Sequence, residues 1–267
     1  MSDQIINFKD ALSILDNLSK NSFAIDAWIP SLQKTIKIKE LTTKQQSVII
    51  ENFFDFIENK STFSKTLFDI ISENCLEDSS VIENLTIFDR ACLAFFIRKQ
   101  LSNKLKIEFQ EIPKIEKEIE IDNILEKFKS YTHPKPETIK HSLESVAIEI
   151  ELDVPKMKQD PFFDNFVYRN AENSEDFQKF KTVLGNAFLA EIAKFIKEIK
   201  INGNLFGYNN LYVDDKISVI EKLPAVLIND VNRIITIWKS ELEKNYTVKE
   251  ENIEKVIKID SFLFLIN

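Results

Sequence analysis

"LTIFDRACLAFFIRKQLS", Leu85–Ser102, is the stretch on which the fold turns. Thr86 stands three residues ahead of Asp89. That is the spacing of a capping box, in which each side chain satisfies a backbone N–H left open at a helix start. Phe88, Cys92, Phe95 and Phe96 follow at helical spacing and predict an inward apolar face. Beside Asp89 lies Arg90, whose guanidinium either pairs with a carboxylate of this chain or a partner, or stays solvated. The helix is too aromatic and acidic to read as the basic recognition helix of a DNA reader.

Upstream, "SFAIDAWIPSLQKTIKIKELTTKQQSVIIENFFDF", residues 22–56, changes period twice. Phe23, Ile25 and Ala27 alternate, then Ile36 and Ile38 alternate with Lys37 and Lys39. Period two predicts an antiparallel pair of strands joined around Pro30–Lys34, with the proline at a strand end. Trp28 reads as a core or interface anchor. Thr43 and Gln46 form a second capping box, opening a helix with Ile49, Ile50, Phe53, Phe54 and Ile57 on one side. A further helix carries Phe63, Leu67, Ile70 and Ile71. Leu12, Leu15 and Leu18 mark a short helix before the strands.

Downstream, Leu105, Ile107 and Phe109 alternate, as do Val146, Ile148, Ile150, Leu152 and Val154. These segments predict two strands paired with each other. The connector "DNILEKFKSYTHPKPE" between them reads as an exposed loop or domain edge, because Pro134 and Pro136 restrict the residues before them. Leu184, Phe188, Ile192, Phe195 and Ile199 predict one helical stripe. Residues 203–213 read as a loop or short hairpin. Pro224 suits the first turn of a helix bearing Leu227, Val231, Ile234 and Trp238. "VIKIDSFLFLIN" predicts a final strand. The fold class is therefore α+β: an N-terminal β-hairpin with a helical bundle, followed by a mixed strand-helix region. The expected division is residues 1–104 and 105–267, with the boundary near 103–106 and one interleaved core as the alternative.

Composition narrows the chemistry. The net charge of -8 argues against a nonspecific nucleic-acid binder, which needs a continuous basic face. No run of roughly 18 uncharged apolar residues is present, so no transmembrane helix is predicted. "MSDQIINFKD" carries polar groups where a secretory signal has its apolar region, which reads as folding in a cytoplasm. With 22 Phe the chain is rich in packing anchors, and with 3 Gly it is poor in phosphate-binding loops. Gly185, Gly203 and Gly207 supply neither the Rossmann nor the P-loop fingerprint.

Single residues offer little catalysis. His133 and His141, even with Glu137 and Glu144 nearby, fall short of a metal-ligand set. Cys75 and Cys92 sit in apolar helix patterns and read as small buried hydrophobes. Asp153, Asp160 and Asp164 read as turns, caps and solvated ends, although paired carboxylates perform acid/base work without a short motif. No catalytic, cofactor-binding or metal residue is assigned, and no cofactor is expected.

Two blocks carry a family likeness. The first holds the turn Ile29-Pro30-Ser31, the step Leu41-Thr42 and the helix start Lys44-Gln45-Gln46; the second holds Leu85-Thr86, Asp89-Arg90 and Arg98. With the later "FVYRNA" and "IDSFLF", they resemble the baseplate hub subunit family of T4-type tailed bacteriophages. The chain departs from that pattern at Ile29, where leucine is usual, and at Lys99–Ser102, where a small residue is common. The resemblance implies a noncatalytic structural or assembly component of a contractile tail baseplate hub. Its partners would be other baseplate hub or tail proteins, with no nucleic acid and no membrane. It would reside in the virion tail baseplate after assembly in the host cytoplasm, with its oligomeric state open. The alternatives are a tail assembly chaperone that leaves the particle, and a hydrolase with an acidic-residue site.

Overall fold

Strands β1 (Ala24–Ile29) and β2 (Lys34–Lys39) form an antiparallel ribbon in which Ala24 faces Lys39 and Ile29 faces Lys34. In this computed structural model the described residues are 9–10, 12–13, 23–58, 63–109, 115–143, 146–169, 176–250, 253–259 and 261–264. Leu15 and Leu18 of the expected first helix lie outside them, as do the side chains of Phe53, Phe54 and Ile57. Period two sends Ala27, Ile29, Ile36 and Ile38 into the core and leaves Asp26, Thr35 and Lys37 exposed.

Helix α1 (Thr43–Glu58) starts where expected, but its cap sits one residue earlier than Thr43. Gln45 N–H donates to Thr42 Oγ1 (3.2 Å), and Thr42 N–H donates to Gln45 Oε1 (3.0 Å). "TTKQQ" holds two pairs at the same spacing, and the cap is the residue just outside the first helical one. α2 (Phe63–Asn74) and the short α3 (Ser79–Asn84) lead to α4 (Ile87–Leu101). α4 is buried on nearly every side, as a central helix must be.

The middle of the chain departs from expectation. β3 (Lys104–Phe109) pairs not with the later strand but with β4 (Ile115–Glu120), in a ribbon of its own. The presumed connector contains α5 (Ile121–Ser130), whose Ile121, Ile124 and Phe128 are buried at helical spacing. Only residues 131–136, around the two prolines, run extended without pairing. β5 (Glu137–Leu143), β6 (Val146–Leu152), β7 (Ile196–Ile201) and β8 (Asn204–Leu205) make one antiparallel sheet in that order. Asn202 (φ 50°) and Gly203 (φ 80°) supply the two left-handed residues that the tight β7–β8 turn requires.

α6 (Asp160–Arg169) and α7 (Asp176–Phe195) pack together, and α7 runs directly into β7. The expected stripe on α7 therefore splits. Ile192 and Phe195 are buried and Ile199 is buried from the strand, but Leu184 and Phe188 face outward. α8 (Val213–Ile220) and α9 (Ala225–Glu243) follow; Pro224 caps α9 and Trp238 Nε1–H donates to Glu137 on β5 (3.1 Å). β9 (Thr247–Glu250) and β10 (Ile253–Val256) close a last ribbon. The predicted terminal strand is replaced by a 3₁₀ turn at Ser261–Phe264 that buries the adjacent Leu263 and Phe264 together. A strand would send neighbours to opposite faces.

The fold is α+β, and buried residues from before and after position 104 join one core. Ile87 N–H donates to Pro155 C=O (3.0 Å) and Met157 N–H to Leu85 C=O (2.8 Å). Phe95 packs 6.4 Å from Phe128 and 5.8 Å from Tyr246, centroid to centroid. Truncating Phe95 to alanine leaves a cavity that these rings cannot fill, so urea unfolding of Phe95→Ala should show a loss of about 3–5 kcal/mol. A loss below about 1 kcal/mol would contradict this packing.

Candidate functional site

Asp89 is fully buried and meets no cation directly; four donors surround its carboxylate. Ser31 N–H reaches Oδ1 (2.8 Å) and Ser31 Oγ–H reaches Oδ2 (2.6 Å). Thr86 N–H (2.7 Å) and Thr86 Oγ1–H (2.8 Å) also reach Oδ2, while Asp89 N–H returns a bond to Thr86 Oγ1 (3.3 Å). The expected capping box is present and does more than start a helix. It ties the β1–β2 turn to α4 across 58 positions. A buried carboxylate needs such saturation, because burying an anion without partners is very costly.

Arg90 turns the other way. It pairs with Asp160 at the start of α6 and donates to Ser64 Oγ on α2 (2.8 Å). Lys194 on α7 also reaches Asp160 (3.0 Å) and pairs with Glu191 (2.8 Å), which in turn pairs with Lys239 on α9. Burial pushes the Asp160 carboxyl up, but Arg90 and Lys194 outweigh it and hold it below the usual carboxylate range. Burial likewise pushes Glu191 up, and Lys194 and Lys239 bring it down. Asp164 goes the opposite way, raised by burial and by the Asp160 charge. A cavity of 320 Å³ opens onto Arg90, Glu191, Lys194 and Lys239, while Asp160 is shut behind them.

The other residues singled out from sequence do not join this network. Asp153 accepts from the Val154 N–H (2.9 Å), a local turn contact. His133 lies edge-on to Phe88, with ring centroids 6.0 Å apart, and burial pulls its imidazole down. His141 lies on β5 opposite Ile148, Glu137 is taken by Trp238, and Glu144 is outside the described residues. Among the described residues no cluster of His, Cys, Asp and Glu is arranged to hold a metal ion. Cys75 and Cys92 are free thiols pushed up by burial, and Cys92 donates to the Trp28 carbonyl (3.4 Å). Arg98 is buried, donating to the Ser102 (2.9 Å) and Lys104 (3.2 Å) carbonyls at the end of α4. Sequence reasoning passed over Ser31, Glu191 and Lys194. The last two stand three apart inside an apolar run, an available but weak signal.

What the network holds in place is the α6–α7 pair, and that pair carries an unusual surface. Phe180 (59% exposed), Leu184 (55%) and Phe188 (45%) recur every four residues on α7 and so share one outward stripe. Phe162 on α6 is also exposed. Exposed apolar residues in contiguous sets mark association surfaces, whereas scattered ones carry no meaning. Among the described residues, no helix is long and apolar enough to cross a membrane. Comparison with known proteins finds no family model, curated protein or solved structure that matches this chain.

The Asp160 cluster fixes an acid response. Its carboxyl is depressed in the folded chain, so its stabilisation is complete above the ordinary aspartate value of 3.8 and is lost as pH falls below it. Asp164, being raised, offsets part of that loss. Asp160→Asn should cost about 3–5 kcal/mol at neutral pH, because it strands Arg90 and Lys194. Chemical unfolding between neutral pH and pH 3 should then show a shallower acid decline than wild type; an equal decline would assign the acid sensitivity elsewhere.

Proposed function

We propose that this chain is a noncatalytic docking component of a contractile phage tail baseplate hub, acting through protein–protein contacts. The exposed α7 stripe carries the reading. Three large apolar side chains on one helical face lose water when a partner covers them, at about 1.5–3 kcal/mol for each one fully buried. The charge network supports it by anchoring α7 at Lys194 and Glu191, so the stripe is presented on a braced helix. The resemblance adds the setting: Ser31, Thr86, Asp89 and Arg90, which carry much of it, are also the residues that lock the ribbon and α6 to α4. Other baseplate hub or tail proteins are then the partners, met in the host cytoplasm during assembly and retained in the tail baseplate.

The test is copurification of a tagged chain from infected cells, comparing wild type with Leu184→Asp/Phe188→Asp. Both positions are exposed, so the circular dichroism and melting of the variant should match wild type. Recovery of baseplate proteins should fall at least about tenfold, the equivalent of 1.4 kcal/mol. Equal recovery, or a wild-type chain that emerges as a monomer without tail proteins, would overturn the reading. Presence of the chain in purified particles separates a hub component from a chaperone that leaves.

A further inference from the structure

The β1–β2 ribbon has a free edge, and its hydrogen-bond phase can be worked out. Phe23 C=O accepts from Glu40 N–H (3.3 Å), just beyond the ends of the two strands. In an antiparallel pair the bonded positions alternate. With the register of β1 on β2, Ile25, Ala27 and Ile29 therefore point their N–H and C=O groups at β2, and Ala24, Asp26 and Trp28 point theirs away. Three contacts agree with this phase. The Trp28 carbonyl accepts from Cys92 on α4 (3.4 Å). On the other strand, the outward Lys37 carbonyl accepts from Leu76 N–H (2.9 Å), and Lys37 N–H donates to Glu77 (3.3 Å). The outward groups of Ala24 and Asp26 make no hydrogen bond among the described residues.

That edge borders a groove. A cavity of 590 Å³ is lined by Ile25, Asp26 and Trp28 on β1, Phe96 and Gln100 on α4, and Leu125 on α5. Its base is apolar, yet two buried donors in the lining, Trp28 Nε1 and Gln100 Nε2, have no acceptor. The Gln100 amide is not free to turn, since its Oε1 takes the Leu41 N–H (3.0 Å). Buried polar groups are rarely left unpaired, and two on one groove call for an occupant that brings acceptors. The rim is also uneven in charge. Lys99 and Lys129 are paired with Asp122 and Glu126, whereas Asp26 and Glu77 are in no ion pair.

We propose that this groove binds an extended peptide segment carrying a basic side chain, which adds as a strand to the free edge of β1. Ala24 and Asp26 present N–H and C=O groups two residues apart, about 7 Å, the repeat of an extended chain. Strand addition draws affinity from such main-chain bonds and specificity from pockets for alternate side chains. Here the Trp28–Phe96 floor takes an apolar side chain, acceptors of the segment meet Gln100, and Asp26 and Glu77 match the cation. The site is separate from the α7 stripe and does not depend on the docking role assigned to it.

A yeast-displayed random heptapeptide library, panned against the full chain, tests this directly. Enriched peptides should carry Lys or Arg. Synthesised and titrated, they should slow hydrogen exchange at the Asp26 amide. Asp26→Lys, on an exposed position, should weaken them at least tenfold. Gln100→Glu keeps the acceptor for Leu41 while removing the free donor, and should weaken them several-fold. Leu184→Asp should leave them unchanged, which separates this site from the α7 surface. No enrichment over an unrelated control protein overturns the proposal. So does binding that ignores both groove substitutions or leaves the Asp26 amide unprotected.

Discussion

Two side chains adjacent in sequence, Asp89 and Arg90, set the arrangement of the molecule. Consecutive residues on a helix point about 100° apart, so one turns toward the ribbon and the other toward α2 and α6. Asp89 is an anion satisfied by four neutral donors, two from Ser31 and two from Thr86. Arg90 faces Asp160, which Lys194 shares. Because each charge is buried, each demands its partners in place. Apolar packing alone would tolerate small shifts of the ribbon or of α6; a stranded carboxylate or guanidinium would not.

From that constraint the surface follows. α7 is fixed near its C-terminal end by Lys194 and Glu191, and Asn186 Nδ2 donates to the Val167 carbonyl of α6 (3.4 Å). The apolar stripe of Phe180, Leu184 and Phe188 lies on the outer side of this braced helix. The charged groups are spent on holding the fold, and Asp160 lies behind the cavity rather than in it. A scaffold that uses its buried charges for rigidity and leaves an apolar helix face outside fits a part that assembles with others.

Legibility in the sequence followed the range of each interaction. The Thr86–Asp89 box and the β1–β2 ribbon were readable because capping and period two are local. α5 was also written locally, in Ile121, Ile124 and Phe128, but the two prolines after it drew the reading toward a loop. Strand pairing was not readable. The alternation of β3 and β6 says that each has a wet face and a dry one, and says nothing of which strand lies beside it. For the same reason Leu184 and Phe188 fitted a helical period while facing outward; a period identifies a face, not what covers it. Asp160 looked like a helix-end acid, and its partner Arg90 lies 70 positions away. Only the folded chain brings them together.

The claim that Arg90 and Asp160 join the two halves of the core is tested most directly by a double-mutant cycle. Arg90→Met, Asp160→Asn and the double variant would be compared with wild type by equilibrium urea unfolding. Residues sharing a buried network couple by about 0.5–3 kcal/mol, whereas independent sites add to within about 0.5 kcal/mol. The present account predicts coupling above about 1 kcal/mol, with the double variant more stable than the sum of the single losses allows. Simple additivity would show that the pair is incidental and that apolar packing alone sets the arrangement.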